Sequence, residues 1–346
     1  VIEDKVRRFI EDPSSGEFNE LAREAFAFQY ERLEAYRQLC ERAGIDPQQI
    51  TDWRQIPAIP ALAFKSLNLT TRPGGEVFRS SGTTSESRST HHHGFLDLYR
   101  TAIDFSFPAA VLGSTTRLPI LGLIPDRLQA PDSSLSFMAQ HILENWGTGD
   151  SLNAIGPRGV ETRQARSFLS ARQRDGRPTL ILSTAFALVQ LIQSLKKLDL
   201  RFRLPGGSVV FETGGYKGRS REVARLDLLA DLYRYLAVPP EGIVREYGMT
   251  ELTSQLYTAV RRGGDPDLFL PPHWVRARVL HPESLAEAEP DTTGLICILD
   301  LANLSSAVHL LTEDLGIAQK NGLRLLGRAA GADLRGCSLT IEELTS

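Results

Sequence analysis

An α/β fold with one or more largely covered sheets is predicted by three features of this sequence. Short apolar runs alternate with stretches of helical periodicity. Two of the runs, Val209-Val210-Phe211 and Leu295 to Leu299, are apolar throughout, as strands buried on both faces require. With 346 residues, 42% of them hydrophobic, the chain is long enough to bury a substantial core.

Taken in order, residues 1–70 read as a helical lead-in. Phe18 to Ala43 is rich in helix formers, and Leu33, Tyr36 and Cys40 recur at i, i+3 and i+7, which puts one apolar stripe toward a core. Ile56-Pro57-Ala58-Ile59-Pro60 cannot continue a helix, because each proline lacks an amide donor and disfavours the α conformation in its predecessor. Beyond this boundary Pro119 to Ile124 and Thr179 to Ser183 read as strands, and Ala185 to Leu198 as a helix. Glycine pairs stand at Gly74-Gly75, Gly214-Gly215 and Gly263-Gly264, and only the middle pair directly follows an expected strand.

Composition narrows the function. A formal net charge of -3 gives no electrostatic case for nucleic acid or an anionic membrane surface, both of which call for excess Lys and Arg. No apolar run of membrane-spanning length occurs, and Val1-Ile2-Glu3-Asp4-Lys5 does not open a secretory leader. Cys40, Cys297 and Cys337 are too scattered for a disulfide framework. The expectation is a cytoplasmic protein that acts on a small ligand.

Two segments carry chemistry. Arg79-Ser80-Ser81-Gly82-Thr83-Thr84-Ser85 gathers hydroxyls around one glycine, a composition suited to wrapping phosphate oxygens, although it also suits a plain surface loop. It is not the G-x-x-x-x-G-K-[ST] loop, and no G-x-G-x-x-G follows a strand, so phosphoryl-transfer NTPases and dinucleotide binders lack their motifs. Glu246-Tyr247-Gly248-Met249-Thr250-Glu251 sets a hydroxyl beside a carboxylate just after a glycine, which fits a phosphate contact and a Mg²⁺ ligand, or a capped turn.

With Leu311-Thr312-Glu313-Asp314-Leu315-Gly316 and Gly327-Arg328 following, these segments stand in the order found in adenylate-forming enzymes. Ile56 to Lys65, Thr184-Ala185-Phe186-Ala187 and Thr213-Gly214-Gly215-Tyr216-Lys217-Gly218-Arg219 narrow the likeness. Over nearly its whole length the chain resembles the LuxE-type acyl-protein synthetases and their phenylacetate-CoA ligase relatives. The resemblance implies the large layered α/β domain of that superfamily over residues 1–327. It also implies ATP- and Mg²⁺-dependent activation of a carboxylic acid, in the first instance a fatty acid, as an acyl-adenylate, then acyl transfer to a thiol.

Carried over by motif, Ser80, Ser81, Gly82, Thr83 and Thr84 would hold the β- and γ-phosphates, and Gly214 and Gly215 would lie against adenine, with Tyr247 and Gly248 also in the nucleotide site. Thr250 would meet the α-phosphate, Glu251 the metal, Asp314 the ribose, and Arg328 the ribose or phosphate. Cys337 is the candidate acyl acceptor, with coenzyme A, a carrier protein or a reductase partner as further acceptors. Cys297, inside an apolar run, reads as core. His91, Phe137, Met138 and Phe186 are candidates for the acid pocket, although the last three suit ordinary core equally well.

The pattern departs from the superfamily at the C-terminal end. The resemblance implies a small lid domain of about one hundred residues, whereas 18 residues follow Arg328, so 328–346 are expected to form only a hinge and residual tail. No lysine occurs after Lys320, which leaves Lys217 or Arg219 as cationic candidates. Thr90-His91-His92-His93 invites a metal reading, but consecutive strand residues face opposite ways and cannot all ligate one ion. Two rivals remain: a phenylacetate-type CoA ligase, and a non-catalytic subunit that keeps the pocket and acts through a partner.

Overall fold

The computed structural model describes residues 1–81, 88–214 and 225–329. Helix α1 (Ile2–Glu11) buries Val6, Phe9 and Ile10. Helices α2 (Phe18–Arg32) and α3 (Glu34–Arg42) follow. The helical reading of residues 18–43 is interrupted at Leu33, whose extended backbone (φ -104°, ψ 100°) separates the two helices. The stripe survives the break, with Leu33, Tyr36 and Cys40 all buried, because tertiary packing outweighs helix propensity. Ile59–Pro60 forms the two-residue strand β1, short enough for the missing proline amide to be tolerated.

Strands β2 (Glu76–Arg79) and β3 (Thr90–His93) make an antiparallel pair in which Glu76 faces His93 and Phe78 faces His91. Side chains alternate as a strand demands: His91 and His93 are buried, while Thr90 and His92 are partly exposed. Next come α4 (Leu96–Phe107), β4 (Ile120–Leu123) and α5 (Ser134–Trp146), the last capped by the Ser133 hydroxyl, which accepts from Ser136 N at 3.1 Å. Then follow β5 (Leu152–Asn153), the hairpin β6 (Ile155–Gly156) and β7 (Gly159–Val160), and α6 (Thr162–Asp175). Strand β8 (Leu180–Thr184) runs into α7 (Ala185–Lys197), capped by Thr184. The chain continues through β9 (Val209–Thr213), α8 (Arg225–Leu236), β10 (Ile243–Tyr247), β11 (Leu256–Thr258), β12 (Leu268–Leu270), β13 (Val275–Leu280), β14 (Thr293–Asp300), β15 (His309–Gln319) and β16 (Gly322–Arg328). Each strand expected at 119–124, 179–183, 209–211 and 295–299 is present.

Two compact units divide the chain. The first takes Val1–Ser106, Met249–Leu256 and the chain from Asp267 onward; the second takes Phe107–Gly248 and Tyr257–Pro266. In the second unit β5, β4, β8, β9 and β10 form a parallel sheet in that order. Leu121, Ile181, Val210 and Ile243 turn one face of it toward Phe168, Leu188, Ile192 and Leu232 of the crossover helices. On the strand segment of the opposite parity, Phe211 meets Phe107 and Tyr257 with ring centroids 6.2 and 6.1 Å apart. In the first unit β13, β14, β15, β16 and β12 form an antiparallel sheet. Strand β16 pairs with β15 only from Asp314 on, and Ile59–Pro60 adds in parallel to β15 at Leu310 and Leu311. Among the described residues no helix is long and apolar enough to cross a membrane.

Candidate active site

In the first unit the hydroxyl-rich segment is pinned at its base. Ser80 N donates to Ser89 O, and Ser89 N donates to the Ser80 hydroxyl, each at 3.0 Å. Ser80 is half-buried and Ser81 exposed. Gly82, Thr83 and Thr84 lie outside the described residues. The buried Ser89 side chain lies beside the Glu251 carboxylate and lowers its pKa, so two segments 162 positions apart in sequence meet there.

Glu251 is only 6% exposed. Burial pushes its pKa above the usual carboxylate range; the bonds from Ser89 and from its own amide, and the charge of Arg328, pull the other way, while Glu313 adds to the rise. The turn that carries it is held by its main chain. His91 Nδ1 lies 2.8 Å from Thr250 O, and Asn303 Nδ2 donates to Glu251 O at 2.9 Å. Just downstream, the buried Asp300 carboxylate accepts from Thr253 N, Ser254 N and the Ser254 hydroxyl at 3.0, 2.7 and 2.7 Å, and Trp274 Nε1 donates to Ser254 Oγ at 2.8 Å. A carboxylate with this many donors bears burial far better than a bare one, although burial still raises its pKa.

Asp314 and Arg328 stand opposite each other across β15 and β16, with Arg328 Nε 3.8 Å from Asp314 Oδ1 and Nη2 3.8 Å from Glu313. The Arg328 side chain is 71% exposed, so this contact is loose and contributes little to stability.

In the second unit β9 and β10 end side by side, and Thr213 is in register with Glu246. The Thr213 hydroxyl donates to the Glu246 carboxylate, whose pKa burial nonetheless raises to about 7. Gly214 follows at φ +70°, a left-handed turn that favours glycine. Tyr247 is buried and Gly248 exposed at the carboxyl end of β10. That end of a parallel sheet is where open α/β proteins receive ligands. Phe137 and Met138 are buried on α5, and Phe186 is half-buried at the start of α7. Phe137 stacks on His141 with a centroid spacing of 6.5 Å. Gly215, Lys217, Arg219 and Cys337 lie outside the described residues. Cys297 is fully buried on β14 with its sulfur 3.2 Å from His309 Nε2, in keeping with the core reading.

A family model described as acyl-protein synthetase, LuxE, matches residues 4–345. The chain belongs to this family. With membership come the ATP-dependent acid activation and acyl transfer of an AMP-forming ligase, as the sequence motifs imply. A long-chain-fatty-acid–luciferin-component ligase of Vibrio harveyi is 22% identical over 93% of this chain and 86% of its own length. The ligase of the same name from Aliivibrio fischeri is also 22% identical, over 87% of this chain and 79% of its own. Among solved structures, an open conformation of 2-hydroxyisobutyryl-CoA ligase in complex with 2-HIB-AMP and CoA aligns with a TM-score of 0.66 at 14% identity, covering 90% of this chain and 69% of that one. ATP-bound MatB from Rhodopseudomonas palustris aligns at 0.52 and 17% identity, over 73% and 47%. The fold is that of the adenylate-forming acyl-CoA ligases.

Motif reading missed the buried polar support of the LuxE-family turn. His91, Asp300 and Asn303 hold Thr250 to Ser254, Ser306 backs His91, and Thr213 holds Glu246. One signal was available: Asp300, Asn303, Ser305 and Ser306 crowd polar groups into an otherwise apolar stretch directly after a strand.

Proposed function

We propose that this chain converts a long-chain fatty acid and ATP into an acyl-adenylate and passes the acyl group to a thiol. The observation that supports this most directly is that the strand leaving the hydroxyl-rich segment meets the Thr-Glu turn, with His91 Nδ1 2.8 Å from Thr250 O and Ser89 beside Glu251. Glu251 suits a Mg²⁺ ligand, because an anionic oxygen whose burial disfavours its charge gains from a hard cation beside it. Bound there, Mg²⁺ would neutralise phosphate charge as the carboxylate approaches.

The protein's own groups would do the rest by position and charge. Ser80, Ser81, Gly82, Thr83 and Thr84 donate to the β- and γ-phosphates, and the Thr250 hydroxyl donates to the α-phosphate. Asp314 accepts from the ribose hydroxyls, and Arg328 offers its planar fork to ribose or phosphate. Gly214 and Gly215 permit close approach of the base near Tyr247 and Gly248. Lys217 supplies positive charge between two anions, and Phe137, Met138 and Phe186 wall the acid. Cys337 then attacks the adenylate's carbonyl carbon as thiolate; the thioester forms as the acyl–phosphate bond breaks and AMP departs. The acyl group finally moves to an acceptor protein or coenzyme A.

The test is Mg²⁺-dependent ATP–pyrophosphate exchange across fatty, aromatic and amino acids, with Glu251→Ala as control. Exchange confined to long-chain fatty acids and lost in the control is expected; none with any acid by a folded protein would favour a non-catalytic subunit. Cys337→Ser should abolish covalent labelling from radioactive fatty acid. Undiminished acyl-CoA formation by that variant would move the assignment to the CoA ligase class.

A further inference from the structure

We infer that His91, Ser306 and Asn303 act as positioning residues for the adenylation step by fixing the backbone of Glu251; this rests on the role proposed for Glu251 above. A residue's φ and ψ are set by the planes of the two peptide groups on either side of its Cα. For Glu251 those planes carry the carbonyls of Thr250 and Glu251, and each is gripped separately, the first by His91 Nδ1 at 2.8 Å and the second by Asn303 Nδ2 at 2.9 Å. With both planes held, the direction in which the carboxylate leaves the chain is held too.

The two grips are joined. Ser306 Oγ lies 2.9 Å from His91 Nε2 and 3.2 Å from Asn303 Oδ1. His91 is fully buried, and burial lowers its pKa to about 4, so the ring is neutral. Its one proton is then on Nδ1, facing the Thr250 carbonyl, and Nε2 is an acceptor. Asn303 uses both amide protons, donating to Glu251 O and, at 2.8 Å, to Ala307 O, and its oxygen accepts from Thr253 Oγ1 at 3.0 Å; the single Ser306 proton goes to His91 Nε2, so Ser306 Oγ is only a neighbour of that oxygen. Gln29 anchors this hub to α2, donating to Asn303 O and accepting from Val308 N, each at 2.9 Å. A buried network in which both amide protons of Asn303 and both ring nitrogens of His91 have partners resists rearrangement, because a shift leaves a polar group without one. It is a built support under a turn whose neighbouring hydroxyl and carboxylate are the ones the chemistry uses.

Three variants read the inference out. Asn303→Asp keeps the shape but loses both donors, His91→Phe keeps the ring but loses its donor, and Ser306→Ala cuts the link between them. In ATP–pyrophosphate exchange, Asn303→Asp and His91→Phe should lower kcat by about 100-fold, the scale of a misplaced catalytic group. They should also raise the Mg²⁺ concentration at half activity, with KM for the acid unchanged; Ser306→Ala should do the same more weakly. His91→Asn, whose amide nitrogen stands where Nδ1 does, restores the N–H and should recover part of kcat. Folded variants with wild-type kcat and Mg²⁺ dependence, or no difference between Asn and Phe at position 91, would overturn the inference. Hydrogen exchange on the wild type without ATP gives an independent reading: the Leu252, Thr253 and Ser254 amides should exchange as slowly as those of β14, and loop-like exchange there would overturn it whether or not any variant folds. If Glu251→Ala retains full activity, the nucleotide assignment fails, while amide protection still decides whether the turn is clamped.

Discussion

At the scale of single residues, the carboxylates are held where water does not help them. Glu251 is buried with a raised pKa, so its ionised form costs stability in the folded chain. Glu251→Gln should therefore leave the thermal midpoint unchanged or higher while exchange activity falls at least about 100-fold, the trade expected where a site is kept for chemistry. A lowered midpoint would mean that the carboxylate serves the fold. Glu246 gives a pH signature. Its folded pKa of about 7 lies above the ordinary 4.5, so the folded state holds the proton more tightly and stability falls as pH rises from about 4.5 to about 7. The change is on the order of 3 kcal/mol. Urea unfolding of Glu246→Gln against wild type should show the difference widening in the variant's favour across that window; a constant difference would place the native pKa near the unfolded one.

At the scale of elements, the sequence was legible wherever local chemistry decides. The strands at residues 119–124 and 179–183 and the helix that follows at 185 have continuous apolar runs and a threonine cap, and they fold as read. Leu33 was not legible, because helix formers on both sides give no local stop signal and packing of two helices sets the break. The β2–β3 pair was half legible. Alternation separated His91 and His93 from His92, but the partner of His91 is 159 positions away at Thr250. Gly75 is the vulnerable point of this pair. It sits at φ +77°, and a Cβ there would lie 2.0 Å from the His93 carbonyl oxygen. Gly75→Ala should lower stability by at least about 2 kcal/mol and, through His91, reduce exchange activity; a wild-type urea midpoint would show that the backbone yields there cheaply.

At the scale of the whole molecule, the order of the motifs along the chain sufficed for family and fold, since it reflects chain connectivity. The buried network did not follow from the sequence, because Asp300 with Ser254 and Asn303 with Gln29 are pairings of distant polar residues that no local pattern marks. Burial of histidines across the first unit has a collective effect. His91 and His309 hold pKa values of about 4 and about 3, below the ordinary 6.5, so the unfolded chain binds their protons first and stability is lost as pH falls below about 6.5. Acid unfolding should show this as a falling urea midpoint between pH 6.5 and 4.5, flattened in His309→Gln. The same slope in the variant would assign acid sensitivity to other groups.

The chain leaves and re-enters the first unit at Met249–Leu256 and again at Asp267, and this has a consequence for synthesis. Everything assigned to the second unit has been synthesised once Pro266 is added. The N-terminal helices must wait longer, since Gln29 of α2 finds Asn303 and Val308 only after 274 and 279 further positions. Assembly should accordingly be vectorial in an inverted sense, with the middle of the polypeptide maturing before its beginning. In pulse-labelled refolding the amides of β8 and β9 would then be protected ahead of those at Thr253 and Ser254.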